Sequence, residues 1–169
     1  VLEVVRALEQ KHQRRIPVIA AGGIYTGADI RRYLDMGAAG VQMATRFVTT
    51  FECDASDAFK QTYISAEQED IVIIRSPVGM PGRAIRNQFT DDVGNGIKKP
   101  YKCSFHCILT CDIENSPYCI AHALLSARRG NFKHGFAFAG ANAWRATEIV
   151  SVKDVFGALK EEYRLSAPA

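Results

Sequence analysis

Apolar residues recur at Leu2, Val5 and Leu8, with Arg6, Glu9 and Lys11 between them. That spacing predicts an amphipathic helix over 1–11. Pro17 opens a different pattern. Val18-Ile19-Ala20-Ala21 is an apolar run without polar alternation, closed by Gly22-Gly23, which predicts a short strand buried on both faces. Thr26 with Asp29 three positions on predicts a capping box. The helix it starts, over 27–36, stops at Gly37 in a left-handed cap. Ala39-Gly40-Val41-Gln42-Met43 reads as a second buried strand, and Ala44-Thr45-Arg46-Phe47 leaves its end. Helix, strand, helix, strand with short connectors predicts parallel strands joined by helical crossovers. Two such strands make neither a closed barrel nor a stable open sheet. They need partners.

Further along, Phe59 and Tyr63 lie four apart in a helix expected over 54–66, and Ile71-Val72-Ile73-Ile74 reads as a strand. Pro77, Gly79, Pro81 and Gly82 predict a turn-rich crossing that ends in Arg83, Arg86 and Asn87. Gly94, Gly96, Pro100 and two adjacent lysines make 91–100 the best linker. A helix over 120–129, a Gly-rich apolar strip at 136–140 and a closing helix over 152–163 complete the pattern. The chain therefore divides into 1–90, the last βα units of a larger α/β fold with the following turn, and 91–169, a Cys-rich, mainly helical segment.

Composition changes little in this picture. Of 169 residues 47% are hydrophobic, and 21 basic against 18 acidic residues leave a net charge of +3. This is ordinary globular composition, against disorder. Mixed charge without a basic stripe argues against nucleic acid as a partner. No apolar run approaches the roughly 20 residues of a membrane span. Val1-Leu2-Glu3-Val4-Val5-Arg6 has neither the basic nor the apolar region of a signal peptide, so a cytoplasmic location is expected. The first residues lack a methionine and stand inside a helical pattern. The chain reads as a piece of a longer one.

Candidate chemistry sits at the two strand ends. Gly22-Gly23 follows one buried strand, and Gly40 to Thr45 brackets the end of the next. Glycines let backbone N–H groups approach an anion without a Cβ in the way. In parallel α/β folds ligands sit at the carboxyl ends of strands, and eight-stranded barrels often bind phosphate after strands seven and eight. The Thr45 hydroxyl offers one more donor. From spacing alone, phosphate binding and a tight strand-to-helix turn remain equal alternatives.

The run Ile16-Pro17-Val18-Ile19-Ala20-Ala21-Gly22-Gly23-Ile24, then Gly27 to Asp29, then Gly37 to Phe47 resembles the nitronate monooxygenase family, formerly called 2-nitropropane dioxygenase, which includes FMN-dependent enoyl-acyl carrier protein reductases. Pro77 to Ala84 and Gly135 to Asn142 extend the resemblance over most of the chain. It implies the C-terminal part of a TIM (β/α)8 barrel carrying FMN. It implies that Gly22 and Gly23 hold the FMN phosphate after strand seven, and that Gln42, Met43, Ala44 and Thr45 do so after strand eight. Ala44 departs from the Gly common at that position. A backbone N–H survives the change if φ there is negative. Barrels of the inosine monophosphate dehydrogenase type share the Gly-Gly turn, but their nucleophilic cysteine precedes it, and no cysteine precedes Cys53 here.

The resemblance implies oxidation of alkyl nitronates with O2 or, as an alternative, FMN- and NAD(P)H-dependent reduction of an enoyl thioester. A non-catalytic, cofactor-binding piece of a split barrel is the contrasting reading. The family's catalytic histidine lies in a His-Gly-Gly-type segment, and His12, His106, His122 and His134 stand in other contexts. No catalytic residue is assigned, and the chain alone is expected to be inactive. The expected partners are a small-molecule substrate and the N-terminal half of the barrel; a homo-oligomer is compatible.

Four of the five cysteines, Cys103, Cys107, Cys111 and Cys119, fall within seventeen positions. On a helix the first three would share a face, each step of four advancing about 40°. Four thiols suffice in number for an iron–sulfur cluster or zinc, yet C-x3-C-x3-C-x7-C matches neither pattern. Reduced cysteines packing a small helical cap are the favoured reading. Arg83 and Arg86 could reach a substrate carboxylate, but surface pairing with Asp91 or Asp92 is favoured. Trp144 and Arg145 fit either a flavin-lining or a core role.

Overall fold

The computed structural model describes residues 1–103 and 105–167. Helix α1 (Leu2–His12) leads through β1 (Ile19–Ala21) and α2 (Gly27–Asp35) to β2 (Gly40–Gln42). The two strands are adjacent and parallel, Ile19 opposite Gly40 and Ala21 opposite Gln42. Helix α2 starts as its sequence predicts. Thr26 Oγ1 accepts the Asp29 N–H at 3.1 Å, and Asp29 Oδ2 accepts the Tyr25 and Thr26 amides at 3.0 Å. Gly37, at φ +104°, turns the chain out of the helix.

The strands are not buried on both faces, as their apolar runs predict. Ile19 is 55% exposed and Val41 half-buried, because α2 packs beside β2 while the rest of the two-stranded sheet and its edges stay uncovered. Burial belongs to the strand's neighbours, not to its own sequence.

The helix that closes the chain, α7 (Val152–Leu165), packs along α2. At Gly27 a Cβ would fall within van der Waals contact of the Leu159 carbonyl oxygen and the Tyr163 amide, so only glycine lets the two backbones meet. A short helix, α3 (Thr45–Val48), carries Arg46, whose guanidinium grips Glu162 of α7 through two bonds of 3.1 Å. Glu162 Oε2 also accepts the Gly27 N–H at 2.6 Å. Burial alone would raise the Glu162 carboxyl; the Arg46 and Gly27 donors outweigh it and hold the pKa below its ordinary value.

After α4 (Asp57–Ile64), β3 (Ile71–Arg75) pairs antiparallel with β4 (Pro81–Ile85), Arg75 opposite Pro81. The predicted turn-rich crossing is thus a β-hairpin. Gly79 at φ +103° serves its turn, and Pro81 is tolerated because it opens the strand, where no ladder N–H is needed. Helix α5 (Gln88–Gly94) occupies the start of the predicted linker; Asn87 Oδ1 caps it by accepting the Thr90 N–H at 2.9 Å. The strip at 136–140 lies beside β4, with Ile85 N–H donating to Ala137 O and Ala139 N–H to Arg83 O, both at 3.0 Å.

Helix α6 (Ile120–Arg128) places Ile120 and Ala123 against Ala84, Phe89, Tyr118 and Phe136 in one core cluster. Tyr63, Ala66, Ile85, Ala137 and Ala143 form a second. Both clusters take residues from either side of position 91. Residues 101–119 hold no helix or strand among the described residues. Cys107 is exposed and Cys103, Cys111 and Cys119 are half-buried, all as free thiols. The expected helical cap packed with buried cysteines is therefore not formed there. Cys, Ser, Thr, His and Asp are modest helix formers, and Phe105 and Leu109 stand 88% and 102% exposed. Ile108 packs against the first core cluster, but one such residue does not make the apolar stripe a helix needs.

Candidate cofactor site

At the carboxyl ends of β1 and β2 the chain forms a cleft of about 190 Å³. All six residues predicted as phosphate neighbours line it: Gly22 and Gly23 from the first loop, and Gln42, Met43, Ala44 and Thr45 from the second. Gly22 and Gly23 stand at φ +85° and +72°, conformations that glycine adopts without strain. Ala44 sits at φ −130°, where any L-residue fits, so alanine in place of glycine leaves its N–H available. Among the described residues, the amides of Gly22, Gly23, Ala44 and Thr45 donate to no protein acceptor. Free amides around a concave site are what an anion needs.

The cleft has a third wall that the strand-end reasoning did not include. Gly140, Ala141 and Asn142 line its remaining side. Gly140 donates its N–H to Thr45 Oγ1, and Asn142 Nδ2 donates to the Gly23 carbonyl, both at 2.8 Å. A run of small residues followed by Asn was the available signal. No local pattern says that a segment some 120 positions from Gly23 returns to it.

Tyr25, at the floor of the cleft, is 8% exposed. Arg46 and Arg145 sit over its ring at 5.1 and 5.0 Å. Burial raises the Tyr25 pKa against the lowering effect of the two arginines, so the phenol stays neutral at ordinary pH. Trp144 is 39% exposed and so is not a core residue. None of His12, His106, His122 and His134 lines the cleft. Arg86 meets Asp91 at 3.9 Å with both side chains half in solvent, a surface pair of small weight. Among the described residues no three His, Cys, Asp or Glu side chains are gathered as a metal site.

A larger cavity, about 610 Å³, lies between β3 and α5, lined by Val72, Ile74, Phe89, Val93, Tyr118 and Phe136. Arg86, the candidate carboxylate contact, and Arg75 also line it, whereas the six predicted phosphate neighbours line the smaller cleft.

Comparison with known proteins identifies the family. The sequence profile described as nitronate monooxygenase matches residues 1–162. A probable nitronate monooxygenase of Staphylococcus saprophyticus is 40% identical over 77 residues, 46% of this chain and 22% of the relative. A (3aS,4S,5R,7aS)-5-hydroxy-7a-methyl-1-oxo-octahydro-1H-indene-4-carboxyl-CoA dehydrogenase of Mycobacterium tuberculosis is 40% identical over 81 residues, 48% of this chain and 23% of that one. FabK from Thermotoga maritima superposes with a TM-score of 0.72 at 27% identity, over 92% of this chain and 46% of FabK. Nitroalkane oxidase from Streptomyces ansochromogenes shares the fold, at a TM-score of 0.66 and 22% identity, over 92% of this chain and 42% of that chain. The matched segments thus cover under a quarter of the length of these curated relatives and under half that of these solved structures. With its profile match running almost from end to end, the chain belongs to the nitronate monooxygenase family.

Proposed function

We propose that the cleft binds FMN, with the phosphate on the amides of Gly22, Gly23, Ala44 and Thr45 and with Gln42 and Met43 bordering the cofactor. The observation that carries this reading is the set of four unpartnered N–H groups converging from two strand ends on one cleft. When bound, FMN supplies hydride and single-electron transfer. The chain's own part is to hold the phosphate end: positive-φ glycines keep side chains away from the anion, and the Thr45 hydroxyl, which accepts from Gly140, still has its own proton to donate.

The expected setting is the C-terminal part of a TIM barrel, with the base and substrate contacts supplied by an N-terminal half. The reaction proposed is oxidation of an alkyl nitronate with O2, in keeping with the family. The likeness to FabK supports a second reading, NAD(P)H-dependent reduction of an enoyl thioester at the same flavin. Either way the protein is an oxidoreductase. Neither zinc nor an iron–sulfur cluster is part of the proposal.

The decisive experiment is flavin content. Beyond its chain neighbours nothing lies within 4 Å of a Cβ built at Gly23, so Gly23→Val puts its bulk into the cleft. Because φ +72° also strains a β-branched residue, flavin loss is read beside an apo unfolding midpoint that shows the chain still folded. In the full-length protein this variant is expected to be purified with at least tenfold less FMN. Unchanged flavin would overturn the placement. Oxygen uptake with a nitronate against NAD(P)H consumption with an enoyl thioester separates the two reactions.

A further inference from the structure

Resting on the FMN reading, we infer that the strip from Phe136 to Asn142 is a clasp for the cofactor's phosphate end, and that Asn142 is a positioning residue for the Gly22-Gly23 loop. The strip is tied down along its length. Tyr63 Oη donates to the Phe138 carbonyl at 2.5 Å, and Ala139 N–H donates to Arg83 O at 3.0 Å. Beyond that anchored part it crosses both cofactor loops. Gly140 N–H meets Thr45 Oγ1 of the second loop, and the Asn142 amide meets the Gly23 carbonyl of the first.

The two bonds do different things. A Cβ at Gly140 would lie 2.8 Å from Thr45 Oγ1, so glycine is what lets the strip approach the hydroxyl at hydrogen-bond distance. Accepting that N–H occupies one lone pair of Thr45 and leaves its proton to be donated elsewhere. Asn142 holds the oxygen of the Gly23–Ile24 peptide. That peptide is planar and trans, so fixing its oxygen also fixes the N–H of Ile24 on the opposite edge. Among the described residues the Ile24 N–H has no protein acceptor, and Ile24 is part of the cleft wall. A glycine pair has wide backbone freedom to lose on ordering. One side-chain bond across it preorganises its donors, which strengthens binding without touching the ligand. Polarising the carbonyl also makes the peptide's N–H a better donor.

The test uses the full-length protein stripped of flavin, titrated with FMN by fluorescence quenching, with unfolding midpoints taken with and without FMN. For Asn142→Ala the Kd for FMN should rise roughly fivefold to tenfold, the loss of about one hydrogen bond. The apo midpoint should stay within about one degree and the FMN-induced increment should shrink. Thr45→Val, which keeps the shape but removes both the acceptor of Gly140 and the hydroxyl assigned to the phosphate, should raise the Kd at least as far. An unchanged Kd in Asn142→Ala, while Gly23→Val loses flavin, would overturn the clasp and leave the site standing. An apo midpoint that falls as far as the holo one would reduce Asn142 to a structural role and overturn the proposal. Unchanged binding in both variants would reject the cofactor site itself.

Discussion

The cleft at the ends of β1 and β2 and the cysteine-bearing segment at 101–119 are built on opposite principles. In the first, short elements are held by α7, by the Arg46–Glu162 pair and by the strip at 136–142. Free backbone amides remain there because every neighbouring group is fixed by something else. In the second, four thiols are close in sequence, yet the segment turns through an Asp112–Asn115 hydrogen bond at 2.9 Å and leaves Phe105 and Leu109 in the open. Among the described residues, sequence proximity gathers no group of ligands; the candidate cleft is formed by convergence of distant segments.

The sharpest way to break this contrast is at Gly27. Gly27→Leu would force α2 from α7, because the obstructing atoms are backbone; a loss of at least about 3 kcal/mol is expected, seen as failure to purify folded protein. Phe136→Ala, at a fully buried ring, should cost about 3–5 kcal/mol in denaturant unfolding. Leu109→Ala, fully exposed, should stay within about 0.5 kcal/mol. Near-equal losses for these two would mean that 101–119 packs as firmly as the core.

Glu162→Gln should cost roughly 1–2 kcal/mol, a partly exposed but doubly bonded pair. Its pH signature is specific. The folded pKa of Glu162 lies below the ordinary value, so its contribution is present above the unfolded pKa near 4.5 and is lost as pH falls through the folded value. The stability difference between wild type and Glu162→Gln should therefore shrink on acidification below about pH 4.5. A difference that stays constant down to pH 3 would show that the charge is not what α7 uses.

The smallest effect is expected from Cys107→Ser, exposed and unpaired, within about 0.5 kcal/mol. Thiol titration of denatured, unreduced protein should find five free thiols, the number the structure shows. Fewer, with metal present by elemental analysis, would turn the segment into a site and erase the contrast.

Sequence by itself determined the local events. The parallel pair of Ala20 and Val41 follows from the short helical crossover between them. The capping box at Thr26 and Asp29, the left-handed turn at Gly37 and the glycines of the cleft follow from contacts within a few residues. Those are decided by φ preferences and short hydrogen bonds. Reading Pro81 and Gly82 as turn rather than strand failed because propensity is local, while β4 is held by β3 and, through Ala84, by Phe138 at 54 positions' remove. Only the tertiary structure decided that the strip at 140–142 walls the cleft, that Arg46 belongs to Glu162, and that β1 stands half uncovered. Those outcomes depend on which distant surface arrives to bury or pair a group, and no window of sequence contains both partners.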